Sequence, residues 1–174
     1  RIVRLTQHVQ RLNESAILRG TPGELKHADV KAAVTAALDA TRHDESRFRV
    51  TFAPPRLFVG VEPFRPPPSR AYEEGVSCVT VPVRRENPHA KDTRFIATAT
   101  AAYAGLPTGI EEGLMVGVDG VVLEGLSSNF FAVRGSRLWT EEERVLLGVT
   151  RALVLEVAAT VLPVERTGIP LDPS

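Results

Sequence analysis

Residues 62–70 read EPFRPPPSR, four prolines in nine positions. Proline fixes its own backbone torsion and lacks an N–H, so this stretch serves neither as a helix interior nor as a central strand. It forms a stiff, extended spacer instead. The chain must therefore pack on either side of it. The sequence predicts part of a small N-terminal domain over 1–63, a proline-rich linker over 64–69, and part of a larger domain over 70–174. A chain of 174 residues is long enough to bury a real core.

Periodicity fills in both sides. Leu5, Val9, Leu12 and Ala16 recur at helical spacing, and Gly20 and Gly23 stop the helix. A second helix is expected over 24–41, with Leu25, Val30, Val34 and Leu38 on its apolar face. RFRVTF (47–52) and RLFVGV (56–61) alternate as a hairpin does. Beyond the linker, VSCVTVPV (76–83) reads as a buried strand and 93–104 as an alanine-rich helix. Further strands are expected at 113–118, 120–124, 128–133 and 136–139, then a helix over 148–161 and a strand over 162–167. Asp119-Gly120 is a tight hairpin turn. The fold class is α/β, with helices and strands mixed on both sides of the linker.

Composition removes several kinds of function. The formal net charge is +0, and aromatic residues make up 6% of the chain, with no run of like charge, so nothing favours nucleic acid or an anionic membrane surface. No apolar stretch approaches the length of a membrane span, and no signal-like start is present, so a cytoplasmic protein is expected. The single Cys78 has no disulfide partner and no metal-ligand neighbours, and the apolar run around it predicts a small core residue.

The basic residues are more informative. Eighteen of the 21 are arginine, and the three lysines are Lys26, Lys31 and Lys91. Where arginine otherwise supplies fixed charge, a retained lysine points to a group that must lose a proton and act as an amine. Lys26 and Lys31 fall on the solvent face of the second helix, whereas Lys91 lies in a polar loop after a strand. In VLEGLSSNFFAV (122–133), Glu124 ends one apolar run and Ser127, Ser128 and Asn129 precede the next. Gly148, Val149 and Thr150 open a helix, whose free N–H groups and hydroxyl suit an anion such as phosphate. Taken singly, each feature is ordinary: a surface charge, a solvated hairpin end, a helix cap. Together they supply an amine, a carboxylate and an anion cradle, the set that an aldehyde cofactor with a ring nitrogen and a phosphate requires.

AKDTRFI (90–96), LEGLSSNFFAV (123–133), LWT (138–140) and LLGVTR (146–151), in that order, resemble the fold-type IV pyridoxal-phosphate enzymes, the class IV aminotransferases. LTQHVQRLNESA (5–16) is similar to their small-domain helix. The resemblance covers nearly the whole chain, as an internal portion of such an enzyme. It implies a two-domain class IV aminotransferase-like fold, a small α/β domain plus a larger β-rich one. It also implies pyridoxal 5'-phosphate as cofactor and a homodimer.

By the same resemblance, Lys91 forms the Schiff base with the cofactor aldehyde and moves the proton, and Glu124 faces the pyridine nitrogen. Arg11 contacts the cofactor phosphate from the small domain, and Val149 and Thr150 hold it from the helix start. The cofactor would then lie in a cleft between domains. Ser128 borders the ring with a hydrogen bond in support, and Asn129 is structural. The implied reaction moves an amino group between an amino acid and a 2-oxo acid. Aminodeoxychorismate lyase chemistry, which releases pyruvate, is the alternative, and a non-catalytic fragment retaining the fold is the third reading. Two departures mark an outlying branch, and a third bears on the substrate. Leu126 stands where the family has a small residue, and 140–146 is short. Ile96 stands where branched-chain aminotransferases have a tyrosine, which weighs against that branch.

Overall fold

The computed structural model describes residues 2–21 and 23–171. The chain packs as two compact units that divide after Glu74. In the first unit, α1 (Leu5–Leu18) and α2 (His27–Asp39) are followed by the antiparallel strands β1 (Ser46–Ala53) and β2 (Arg56–Pro63). Val9, Leu25, Val30 and Val34 form the core, with Phe48, Val50, Phe52, Leu57 and Val59 packed against it. The proline-rich run leads into the short helix α3 (Ser69–Glu73), which Pro68 precedes in extended conformation.

Helix α2 begins three residues later than its periodicity suggests, for a long-range reason. Asn13 on α1 donates to the Leu25 carbonyl (3.1 Å) and accepts from the Leu25 amide (2.9 Å). Both backbone groups of Leu25 are thereby engaged outside any helix, and Lys26 stays extended.

The second unit places a four-stranded sheet beside a three-stranded one. Strands β3 (Cys78–Val81), β4 (Glu112–Val116), β5 (Val121–Gly125) and β9 (Ile169–Pro170) are hydrogen-bonded in that order. The smaller sheet runs β6 (Ala132–Arg134), β7 (Arg137–Trp139), β8 (Val164–Glu165). β3 and β4 are parallel, so a crossover must join them, and α4 (Arg94–Ala104) supplies it. β4 and β5 are antiparallel and meet at the expected Asp119-Gly120 turn, where Gly120 adopts φ +76°. Helix α5 (Val149–Ala158) follows β7. Ala99, Met115, Leu123, Leu126 and Val145 make the core of this unit.

Three expectations fail here, one being the strand over 162–167, which is reduced to Val164–Glu165. Cys78 is exposed, because β3 lies at the edge of its sheet and turns Cys78 and Thr80 outward while Val79 and Val81 face inward. The strand expected over 128–133 shrinks to Ala132–Arg134. The preceding residues form a turn in which the Gly125 amide bonds the Ser128 carbonyl (2.8 Å).

Candidate active site

Alternation along β5 puts Leu123 into the core and Glu124 on the opposite face. Glu124 is nevertheless only 3% exposed, because Arg85, Asn129 and the Leu146 backbone close over its carboxylate. Burial of a carboxylate demands partners. Oε1 accepts from Arg85 Nε at 3.0 Å. Oε2 accepts from Asn129 Nδ2 and from the Leu146 amide, both at 3.2 Å. Desolvation pushes the Glu124 carboxyl above its usual range, and Arg85, the Leu146 N–H and the positive charge of Lys91 oppose that push without cancelling it.

Lys91 sits between β3 and α4 with its side chain exposed. Its backbone is pinned on both sides. Ala90, fully buried, donates its amide to the Asn87 carbonyl (3.3 Å), and the Asp92 amide donates to the Ala90 carbonyl (2.9 Å). Asp92 then accepts from the Arg94 amide (2.9 Å) at the start of α4. The Lys91 amine thus extends from a backbone held on both sides, within electrostatic reach of Glu124.

The start of α5 is tied to the same carboxylate through Asn129. Besides donating to Glu124, Asn129 Nδ2 donates to the Leu146 carbonyl at 2.7 Å. Gly148, which caps α5, leaves space for that amide: a Cβ there would collide with the Asn129 side-chain oxygen. Gly148 has no side chain to cap the helix, so the opening amides at Val149 and Thr150 lack a side-chain acceptor, and the Thr150 side chain is exposed. Lys91, Glu124 and the helix start at Val149 and Thr150 therefore belong to one unit and connect through Asn129 and electrostatics.

Two further candidates stand elsewhere. The Ser128 hydroxyl donates to Glu112 Oε2 (3.0 Å) and not to Glu124. Asn129, expected to be mostly structural, touches the carboxylate in its place. Arg11 lies in the first unit on α1, half-buried, with Nη2 3.5 Å from His8 Nδ1 and a buried Nε that has no hydrogen-bond partner among the described residues. Arg85 is the residue that sequence reasoning missed. The one available signal was the need of a buried carboxylate for a cation, together with an Arg-Arg pair directly after a strand.

A model of the family described as amino-transferase class IV matches residues 1–172. The chain belongs to the class IV aminotransferases. Within that family it is similar to the "Putative branched-chain-amino-acid aminotransferase" of Methanocaldococcus jannaschii. Identity is 30% over 100 residues, which make up 53% of this chain and 35% of that relative. The solved branched-chain aminotransferase of Thermoproteus uzoniensis, with norvaline, is 26% identical with TM-score 0.77, over 96% of this chain and 63% of that one. The solved 4-amino-4-deoxychorismate lyase of Pseudomonas aeruginosa is also 26% identical, with TM-score 0.74, over 97% of this chain and 69% of that one. The chain matches about a third of the length of its curated relative.

The departure at Leu126 has a structural answer within this class IV chain. Its side chain is buried in the core beside Gly113, where a Cβ would lie 2.8 Å from Leu126 Cδ1. A glycine on the neighbouring strand makes the room that a small residue after the glutamate would otherwise leave. Among the described residues, no helix is long and apolar enough to cross a membrane.

Proposed function

We propose that this chain is the core of a pyridoxal-phosphate enzyme that moves an amino group between an amino acid and a 2-oxo acid. The observation that carries the reading is Glu124: a buried carboxylate whose two oxygens take three donors from three separate segments, with the Lys91 charge in range. The donor set fits the cofactor. A carboxylate for a ring nitrogen, an amine for an aldehyde and an uncapped helix start for a phosphate occur in one unit.

When bound, the cofactor supplies the aldehyde that takes the amino group and the ring that accepts the electron pair left at the substrate Cα. Glu124 keeps a proton on the ring nitrogen, so the ring can draw those electrons. Lys91 Nζ would take the proton from the substrate Cα and pass it to the carbon that had been the aldehyde. Val149 and Thr150 offer backbone amides and a hydroxyl to the phosphate. Ser128, whose hydroxyl donates to Glu112, would border the ring from the turn after Glu124. A homodimer is part of the same reading.

A second reading has its own support: Ile96 replaces the tyrosine typical of branched-chain relatives, and the Pseudomonas aeruginosa lyase covers the chain as fully as the aminotransferase does. That enzyme would begin with the same proton transfer and expel pyruvate.

Borohydride reduction of the intact cofactor-loaded protein, followed by peptide mapping, tests the reading. Label is expected on Lys91; label on Lys26 or Lys31 removes the assignment, and no label favours a fragment kept for its fold. Assays for 2-oxo acid exchange and for pyruvate release from aminodeoxychorismate then separate the two reactions.

A further inference from the structure

Arg85 has a contact pattern that general burial of a cation does not explain. Its side chain is 9% exposed and bonds Glu124 Oε1 through Nε at 3.0 Å. The guanidinium carbon also lies 3.7 Å from the centroid of the Phe95 ring. Phe95 is in the first turn of α4 and packs against the core of its unit. Arg85 stands before Lys91 in the β3–α4 connection and Phe95 stands after it. One planar cation near the start of the Lys91 loop therefore touches the helix that ends the loop and the strand end that carries Glu124, a job suited to arginine's flat fork and its stacking on aromatic faces.

We propose that Arg85 is a positioning residue that holds the Glu124 carboxylate ionised and in register with the Lys91 loop. The inference rests on the reading of Glu124 given above. With Arg85 on Oε1 and two neutral donors on Oε2, both oxygens are held, and the Arg85 guanidinium places a positive charge in direct contact with the carboxylate. Lys91 and, from α5, Arg151 are the other positive groups that feel the carboxylate. Without the guanidinium, desolvation of Glu124 is opposed mainly by neutral donors and by the exposed amine, and the proton is retained to higher pH.

The test uses Arg85→Gln and Arg85→Lys in the full chain. In apo protein, the infrared band of a protonated carboxyl, assigned to Glu124 by its loss in Glu124→Gln, should persist in Arg85→Gln to a pH about one unit or more above wild type. In loaded protein the acid limb of the turnover profile should move up with it, and kcat should fall about tenfold or more while KM for the amino donor changes less. Arg85→Lys keeps the charge, so its carboxyl titration should stay near wild type, with turnover only partly recovered. The double variant Arg85→Gln/Glu124→Gln should be no slower than Glu124→Gln alone, because Arg85 acts through that group. An unshifted carboxyl titration in Arg85→Gln, or additive losses in the double variant, overturns the proposal. If Arg85→Gln does not fold, wild-type turnover in Arg85→Lys overturns the positioning role by itself. Failure of the wild-type chain to take up cofactor would defeat the functional reading, and the apo carboxyl titration would still decide the case for Arg85.

Discussion

Glu124 and Glu141 lie in the same unit and are buried to nearly the same extent, 3% and 4% exposed, yet their carboxyls shift in opposite directions. Burial pushes both upward. At Glu141 the push is more than reversed by Arg144 and by backbone N–H groups, leaving the carboxyl below its usual range. The donors come almost entirely from its own turn: the amides of Glu142, Glu143 and Arg144 reach Oε1 at 3.1, 3.0 and 3.4 Å. Arg144 Nη2 reaches Oε2 at 2.6 Å. Glu124 has fewer donors, and they come from residues 85, 129 and 146. A carboxylate satisfied by its own turn is a fastener. One held by distant segments and left incompletely compensated keeps a drive to interact with something more. Strong perturbation alone would not separate the two; the direction of the shift and the origin of the donors do.

The sharpest way to break this comparison is to neutralise each carboxylate at constant size. Glu124→Gln should reduce turnover by roughly two orders of magnitude or more, with cofactor still bound by absorbance, because the ring nitrogen loses its counter-charge. Glu141→Gln should leave turnover per folded molecule near wild type. Equal turnover in the two variants would end the distinction.

Stability should show the reverse ranking. Glu141→Gln is expected to cost about 2–3 kcal/mol in urea unfolding, the range for losing charge-assisted hydrogen bonds to buried groups. A loss within error of zero would mean that the turn holds itself.

Acidification should move the two glutamates in opposite directions. Glu141 has a folded pKa below its ordinary value of 4.5, so its stabilisation is present above 4.5 and disappears as pH falls through the folded value. Glu124 has a folded pKa above 4.5, so its ionised form costs stability at higher pH, and that cost fades as pH falls through the folded value toward 4.5. Urea midpoints across the acid range should show the wild-type advantage over Glu141→Gln shrinking, while wild type gains on Glu124→Gln. Parallel drifts would contradict the opposite shifts.

A third glutamate gives the smallest effect. Glu112 Oε1 accepts from the Tyr103 hydroxyl (2.7 Å) and from the Gly113 and Leu126 amides (2.9 and 3.2 Å), so it braces the turn after Glu124 from outside. Tyr103→Phe should cost about 0.5–1.5 kcal/mol and barely touch turnover. A large loss of turnover would make Glu112 part of the site.

The parts of this arrangement that were legible in the sequence are local ones. Lys91 stands out because lysine is rare here, and Glu124 because a carboxylate closes an apolar run; the helical and hairpin periodicities locate most elements to within a few residues. What escaped depends on groups far apart in the chain. Asn13 sets the start of α2 from twelve residues before Leu25. Arg85 is one of 18 arginines, and its partner lies 39 residues away. The apolar run around Cys78 carried no sign of which strand would end at a sheet edge. Asn129 lies close to Glu124 in the chain, but its amide also reaches the Leu146 carbonyl 17 residues on, and no spacing in the sequence marks that link.

The amide of Leu146 donates to Glu124 Oε2 at 3.2 Å, which gives the protein a built-in nuclear-spin probe. A proton shared with a charged oxygen resonates far downfield, and the signal moves when the oxygen is protonated or its charge is drawn toward another partner. In nitrogen-15-labelled protein, that single cross-peak would report the ionisation of Glu124 and the arrival of a ring nitrogen beside it. No chromophore, substrate or turnover would be needed to see either event.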